Sequence, residues 1–459
     1  MWHSRPRLWL SRFAEGLDLT TTPAWHPCRK LELNSRTMLR CMLAVLLAMA
    51  STFCLAQVHR PAGSTVSVPA VSLTDGDPFD VSTGIYQREY HDLYVHDTIP
   101  IDLVRTQRNM DPRSRAFGTG ASTSYDMFIV GDAQRFSWVA LVLPNGSQVR
   151  YTRISSGTGF VDAVFEDKAD PSHFFGSHIW WNNQGSWTVK LREGTEYTVQ
   201  GCSPTSKRPG QCAVTEIKNA QGERLTIQRD RDGNILRVTS PHGRFVTFTN
   251  DSLGRITGVE DDSKHWVRYE YDPAGWLAKA LNGRGDIQQF KYDKRFNMTY
   301  VRERGPGRPN FSAYDFSVTN YYDKKNRFNW QHFDSGKNRV VYKARYYDDA
   351  QGKVRRVDVT SPDGLTYYWF NPAGYAVQER YVPLKGGKWR LDYRRSSDTN
   401  AVLGMSLRCA TGRLPLPPET DLRLAELGDS HERYLSEICV RYGKNPKAAL
   451  LPEPGDDED

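Results

Sequence analysis

Val267-Arg268-Tyr269-Glu270-Tyr271-Asp272-Pro273-Ala274-Gly275-Trp276-Leu277 is the stretch whose reading decides the fold. From Val267 to Tyr271 apolar and charged residues alternate, as a half-buried strand requires. Asp272-Pro273-Ala274-Gly275 then reads as a turn. Asp accepts hydrogen bonds from backbone amides just ahead of it, Pro fixes φ, and Gly takes positive φ at no steric cost. Trp276-Leu277 opens the returning strand. Working outward, the same pattern runs through four copies, with Asp230, Asp251, Asp272 and Asp293 each 21 residues apart. Three positions before each stands Ile227, Phe248, Tyr269 or Phe290; five after comes Ile235, Ile256, Leu277 or Met298; eight after comes Val238, Val259, Ala280 or Val301. Gly233, Gly254 and Gly275 follow three after the aspartate, with Phe296 as the exception in the last copy. A repeat of this length holds two short strands and two turns, so each copy is a β-hairpin, and copies must stack to be stable.

These residues carry a family resemblance. Tyr271-Asp272-Pro273-Ala274-Gly275-Trp276-Leu277 and Tyr292-Asp293 resemble the tyrosine–aspartate (YD) repeats of the RHS (rearrangement hotspot) family, and Asp251-Ser252-Leu253-Gly254-Arg255-Ile256-Thr257 matches its D-x-x-G-R-[LIV]-T half. Weaker copies follow at Tyr322-Asp323 with Asn326-Arg327-Phe328, at Tyr347-Asp348 with Gly352, and at Asn371-Pro372-Ala373-Gly374. The expected fold is all-β, a curved or spiralling antiparallel sheet of stacked hairpins with a short, partly helical C-terminal segment. A structural repeat accounts for Asp230, Gly233, Asp251, Gly254, Asp272, Gly275 and Asp293 as turn residues, and none is given a catalytic role. The segment from Gly76-Asp77-Pro78-Phe79-Asp80 through Leu103, Arg105, Thr106 and Arg108 resembles the uncharacterised domain that precedes the repeats in many RHS proteins; Thr119-Gly120-Ala121 lacks that domain's aromatic corner.

The remaining chain divides by composition. Residues 1–37 lack periodicity and read as a start-site extension ahead of Met38. Residues 38–56 have the order of a secretory signal peptide: Arg40, an apolar run from Cys41 to Ala50, and the small-residue site Cys54-Leu55-Ala56. The run is shorter than the roughly 20 residues a spanning helix needs. Residues 57–72 are a linker, 73–212 the RHS N-terminal-type β domain, 213–400 the repeat sheet, and 401–459 a C-terminal cap with an acidic tail. Within 73–212, Asn145-Gly146 signals a type I′ hairpin turn. In the cap, Glu419 to Tyr442 has helical spacing broken at Gly428.

Processing after Ala56 leaves Cys202, Cys212, Cys409 and Cys439, an even set that in an oxidising compartment suggests disulfides. Cys202–Cys212 would close a Ser/Pro/Lys/Gly-rich excursion, and Cys409–Cys439 would pin the C-terminal segment. The expected location is periplasmic or extracellular. The formal net charge is +8 with no lysine–arginine stripe, so nucleic-acid binding has no specific support. A mean hydropathy of −0.62 and 12% aromatic residues suit a globular β-rich chain.

No motif carries catalytic chemistry. His91 and His96, like His173 and His178, are five apart on expected strands, a spacing that points them to opposite faces. Asp230-Arg231-Asp232-Gly233-Asn234 echoes part of a calcium loop but lacks the distal Glu. No serine sits in a nucleophile elbow. The expectation is therefore a non-enzyme without cofactor or metal. Three functions are open: an exported RHS-type scaffold, accessory or shell fragment, in bacterial competition or at the envelope, with a toxin, immunity or secretion-system protein as partner; a surface module contacting glycan or protein through Trp180, Trp181 and Trp369; or an exported enzyme with its site in the C-terminal segment. The first is preferred, and the open end expected of so short a repeat array would be protected by Lys324-Lys325, Arg355-Arg356 and Arg394-Arg395.

Overall fold

The computed structural model describes residues 74–444 apart from 76–77, 112–113, 133, 169–171, 183, 202–211, 308–311, 336–337, 385–386, 419, 421–423, 425–426 and 428–430. The segments expected to be a start-site extension, signal peptide and linker, together with Cys202 and the acidic tail, lie outside the described residues.

One antiparallel sheet dominates. Its 25 strands run in sequence order from Phe128–Gly131 to Gly412–Leu416, each paired with its chain neighbours. No ladder joins the last strand to the first among the described residues. The first strand makes one return contact, a bridge from Phe128 to Ala213 beside the hydrogen bond from Val214 N–H to the Met127 carbonyl (2.8 Å). The sheet thus begins well inside residues 73–212 and continues past residue 400 through Val402–Cys409 and Gly412–Leu416. The compositional boundaries at 212 and 400 are not breaks in the fold, because hairpin stacking needs only turns and alternation, not a strict repeat.

Trp266–Tyr271 and Leu277–Asn282 show how the repeat folds. Val267, Tyr269, Leu277 and Ala280 are buried, while Arg268 and Glu270 face solvent. All twelve apolar positions of the four copies are buried. At the turn, Gly275 N–H donates to the Asp272 carbonyl, and Asp272 Oδ1 accepts from Ala274 and Trp276 N–H, all at 2.9 Å. Gly233, Gly254 and Gly275 have φ of 84°, 78° and 90°. Phe296, the exception, takes the same left-handed conformation at 66°. The opposite ends of the hairpins carry a second set of the same turns. Asn219, Asp261 and Asn282 each accept two backbone N–H groups on Oδ1, and Ser240 closes an equivalent turn through its backbone. Gly222, Gly243 and Gly285 fill the left-handed position there, and Lys264 fills it at φ 70°.

Each of the four repeat hairpins also carries a bulge just before the turn acid. The residue preceding that acid then reaches back to a carbonyl the ladder leaves open. Tyr271 OH donates to Ile256 O (2.6 Å), Tyr292 OH to Leu277 O (3.0 Å) and Tyr322 OH to Met298 O (2.7 Å). Where tyrosine is absent, Asn250 Nδ2 donates to Ile235 O (2.9 Å), and Arg395, which precedes Ser396 rather than an acid, sends Nε to Ala376 O (2.6 Å). Tyrosine recurs because its length spans one strand and its ring adds packing.

The Asn145-Gly146 turn is not type I′. Gly146 has φ 78° but Asn145 is not left-handed, since Pro144 fixes the first corner at negative φ and makes it the same four-residue turn as the repeats. Lys325, Arg356 and Arg395 are not edge guards either: they sit on or beside interior strands, bound to Asp348, Asp358 and the Ala376 carbonyl. The last strand itself carries Arg413 and Pro415, residues that discourage further pairing.

At the C-terminus, α1 (His431–Lys444) buries Leu435 and Ile438 against the sheet. Trp389 Nε1 donates to Ser436 Oγ (3.0 Å), and Cys409 and Cys439 are joined by a disulfide. Cys212 is also disulfide-bonded. No helix among the described residues is long and apolar enough to cross a membrane.

Candidate functional site

Residues 74–123 form their own small sheets, with Gln87–Val95, Ile101–Arg108 and Ala121–Thr123 as the largest. This leading segment lies on the buried face of the repeat sheet, and their interface is where the chain concentrates its buried polar groups. Ile101, Leu103, Arg105 and Gln107 share one side of their strand by alternation, so a strand that begins apolar delivers a guanidinium and an amide into the same interface. Arg105 is fully buried. Its Nε and Nη2 donate to the two oxygens of Asp92 (2.8 and 3.1 Å), Nη1 to Gln107 (2.9 Å), and Nη2 also to Gln288 of the repeats (2.5 Å). Tyr269 OH donates to Asp92 at 2.7 Å, and the guanidinium lies 4.4 Å from the centre of the Tyr90 ring. Burial works against the Arg105 charge, yet the Asp92 carboxylate outweighs it and holds the pKa above the ordinary arginine value. Burial pushes Tyr90 and Tyr269 upward, so both stay neutral donors.

Further contacts fix the segment. Arg88 and Tyr90 both donate to Glu303 Oε1 (2.5 and 3.0 Å). Asn109 accepts from Tyr86 N–H (2.8 Å) and donates to Asn297 Oδ1 (3.2 Å) and the Asn326 carbonyl (2.8 Å). Asp97 accepts from Ser240 Oγ (2.5 Å) and pairs with His242 Nδ1 (2.6 Å). Backbone carbonyls of Ala116 and Gly84 accept the strand-opening N–H groups of Ile256 and Phe328, each at 2.8 Å. Phe79 stacks on Phe328 with ring centroids 4.1 Å apart, and Phe117 packs at a tilt on Tyr269 at 4.8 Å.

Chemically, these groups hold structure. Asp97, His242 and Ser240 have the composition of a hydrolytic triad but not its wiring. Ser240 and His242 both bond to Asp97, whereas a triad needs the imidazole between serine and carboxylate. Asp230, Asp251, Asp272 and Asp293 lie at hairpin turns with their carboxylates on local N–H groups. Asp230 Oδ1 holds the N–H of Asp232 and Asn234, and Oδ2 holds the Asn234 amide, so the calcium-loop echo is a turn. A bulge between His91 and Leu93 puts His91 and His96 both on the exposed side, and His91 pairs with Asp102 (2.9 Å). Trp180, Trp181 and Trp369 are half-buried rather than exposed; Trp181 packs on Phe160 and Trp187. The sequence reading missed the Arg105–Asp92 pair, because the two meet only across a strand pair. It also missed the second turn set, although Asn219, Ser240, Asp261 and Asn282 show the same 21-residue spacing.

A family model described as "Domain of unknown function (DUF6531)" matches residues 76–151, the leading segment and the first strands of the large sheet. No curated protein matches the chain. Among solved structures, the crystal structure of TcdB2-TccC3 without its hypervariable C-terminal region is similar at 10% identity and a TM-score of 0.29, covering 74% of this chain and 21% of that one. The TcdB2-TccC3-Cdc42 structure matches at 10% identity and a TM-score of 0.29, covering 74% and 22%. A porin-like protein from Bacteroides uniformis matches at 10% identity and a TM-score of 0.23, covering 57% of this chain and 98% of that one. The chain therefore spans about a fifth of the TcdB2-TccC3 chains it matches.

Proposed function

We propose that this chain is a non-catalytic scaffold of the RHS type, exported, and acting as an accessory or shell fragment in bacterial competition or at the envelope. The observation that carries the reading is the destination of its polar residues. Repeat carboxylates hold turns, repeat tyrosines hold bulges, and the buried charges lock the leading segment onto the repeat face. Hydrophobic stacking with this wiring makes a wall with its own lining, suited to holding a partner in place. The motif resemblance and the matched leading domain agree with it. Export and toxin-related partners belong to the same proposal. The test is expression of the full chain in a bacterial host, followed by mass spectrometry of the mature protein and capture of partners encoded beside its gene. A mature N-terminus at Gln57 and a toxin or immunity partner are expected. A retained leader, or a hydrolytic activity that disappears on deleting residues 401–459, would overturn it.

A second reading, a glycan- or protein-binding surface, draws on the solvent face of strands Asn338–Asp348 to Ala376–Pro383. Arg356 there lies over Tyr347, Tyr367 and Trp369 at 5.1, 5.0 and 5.3 Å, and Tyr321 stacks on Trp330 at 4.4 Å nearby. Binding on a glycan array, lost on Trp369→Ala, would favour it.

A further inference from the structure

Beneath the first turn of α1 lies a polar cluster that neither the turns nor the leading segment explain. Glu379, on strand Ala376–Pro383, projects to the buried face between Tyr368 and Leu391. Its Oε1 lies 2.6 Å from His431 Nε2, and both side chains are wholly buried. Glu432, the next residue of α1, accepts from Thr366 Oγ1 (2.7 Å) and Tyr368 OH (3.4 Å) through Oε1. One ligand-type atom from each of Glu379, His431 and Glu432 lies within 4.8 Å of the others. A second observation points to a ligand: Glu379 Oε2 is buried and has no hydrogen-bond partner among the described residues. A buried carboxylate oxygen left without a donor is costly, and this one lies within a cluster of ligand-type atoms.

We propose that Glu379, His431 and Glu432 bind one divalent transition-metal ion of the Zn²⁺ kind. The two carboxylates neutralise the dication, and the imidazole favours a transition metal over Ca²⁺ or Mg²⁺, which prefer all-oxygen shells. Zn²⁺ holds such ligands at about 2.0–2.2 Å, which brings donors to roughly 3.3–3.6 Å from one another. The three donors, now within 4.8 Å of one another, would have to close by about 1 Å to reach that spacing. As a ligand the imidazole would bind in its neutral form. Thr366 and Tyr368 then orient Glu432 from outside the metal shell. The ion would clasp the start of α1 to the strands that carry Thr366, Tyr368 and Glu379. The Cys409–Cys439 disulfide tethers the same helix about two turns further on. The cap would thus be held at two points by different chemistry.

The test uses the full oxidised chain, stripped with chelator and then titrated with ZnCl₂. Bound metal is measured by mass spectrometry, thermal midpoint by calorimetry, and ligand type by the visible absorption of Co²⁺ in place of Zn²⁺. One retained equivalent, a midpoint that rises with Zn²⁺, and a Co²⁺ spectrum of nitrogen and oxygen ligands are expected. Glu432→Gln, on the half-buried ligand, should keep the fold while weakening binding at least tenfold, and His431→Gln should abolish the Co²⁺ spectrum. If the wild-type chain retains no stoichiometric metal and its midpoint ignores Zn²⁺, the cluster is a metal-free ion pair and the proposal fails. It fails equally if the bound equivalent survives Glu432→Gln at undiminished affinity.

Discussion

At the residue scale the decisive feature is the left-handed corner of each turn. Gly275 sits at φ 90°, a conformation that β-branched residues avoid. Its added Cβ would meet nothing closer than Arg255 Nη1 at 3.4 Å, so the cost of a substitution there lies in the backbone. Gly275→Val is expected to lower stability by about 1–3 kcal/mol in urea denaturation; an unchanged midpoint would contradict the assignment. Lys264 offers the converse. It holds the same corner at φ 70° with a mostly exposed side chain, so Lys264→Gly should be neutral to stabilising by up to about 1 kcal/mol. Buried charge obeys a different rule. Arg105→Leu leaves Asp92 buried without its cation and is expected to cost about 3–5 kcal/mol, while the double change Arg105→Leu with Asp92→Leu should cost less. A double mutant as unstable as the sum of the singles would show that the pair is not coupled.

At the element scale, the loop after Gln87–Val95 is fastened to the repeats by Asp97. The Ser240 hydroxyl and then His242 hold the Asp97 carboxyl well below the usual carboxylate range, and the hydrogen bond to Asp97 raises the His242 pKa. The raised histidine contributes stability that is complete below its unfolded pKa of about 6.5 and fades as pH rises through its folded pKa. The lowered carboxylate contributes stability that is complete above about 3.9 and fades as pH falls through its folded pKa. The fastening is therefore fullest between about pH 4 and 6.5. His242 is largely exposed, which screens the pair and keeps the effect small. The gap in thermal midpoint between wild type and His242→Ala should be widest near pH 5–6 and narrow by pH 8–9. A gap that widens with pH would refute this linkage.

At the scale of the whole molecule, the sheet has two ends of different character. The first strand bridges back to Ala213, whereas the last, Gly412–Leu416, is paired on one side only among the described residues. Deleting residues 401–459 removes the final two strands and α1 and bares the strand Trp389–Arg395 with buried Trp389 and Leu391. Aggregation without loss of any enzymatic activity is expected, read by light scattering. A soluble truncation of equal stability would argue against the cap. Reducing Cys409–Cys439, which closes a separation of 30 residues, should cost about 3–4 kcal/mol on the chain-entropy estimate.

The 21-residue spacing of Asp230, Asp251, Asp272 and Asp293, with alternating burial around it, was enough by itself to determine hairpins, their turns and their core positions. Those features depend on interactions within a few residues of one another, so local pattern suffices. The sequence offers Cys409 and Cys439 as a candidate pair, but four cysteines allow three connectivities, and only the packing of α1 joins these two. Where the sheet starts and stops was not legible, because strands at 128–200 and 402–416 stack by the same rules without the repeat's lettering. Nor could the sequence join Asp92 to Arg105 and Tyr269, Asp97 to His242, or Glu379 to His431. Those pairs are brought together by the packing of the leading segment and α1 onto the sheet, and a buried charge finds its partner by proximity in space, which only the tertiary structure sets.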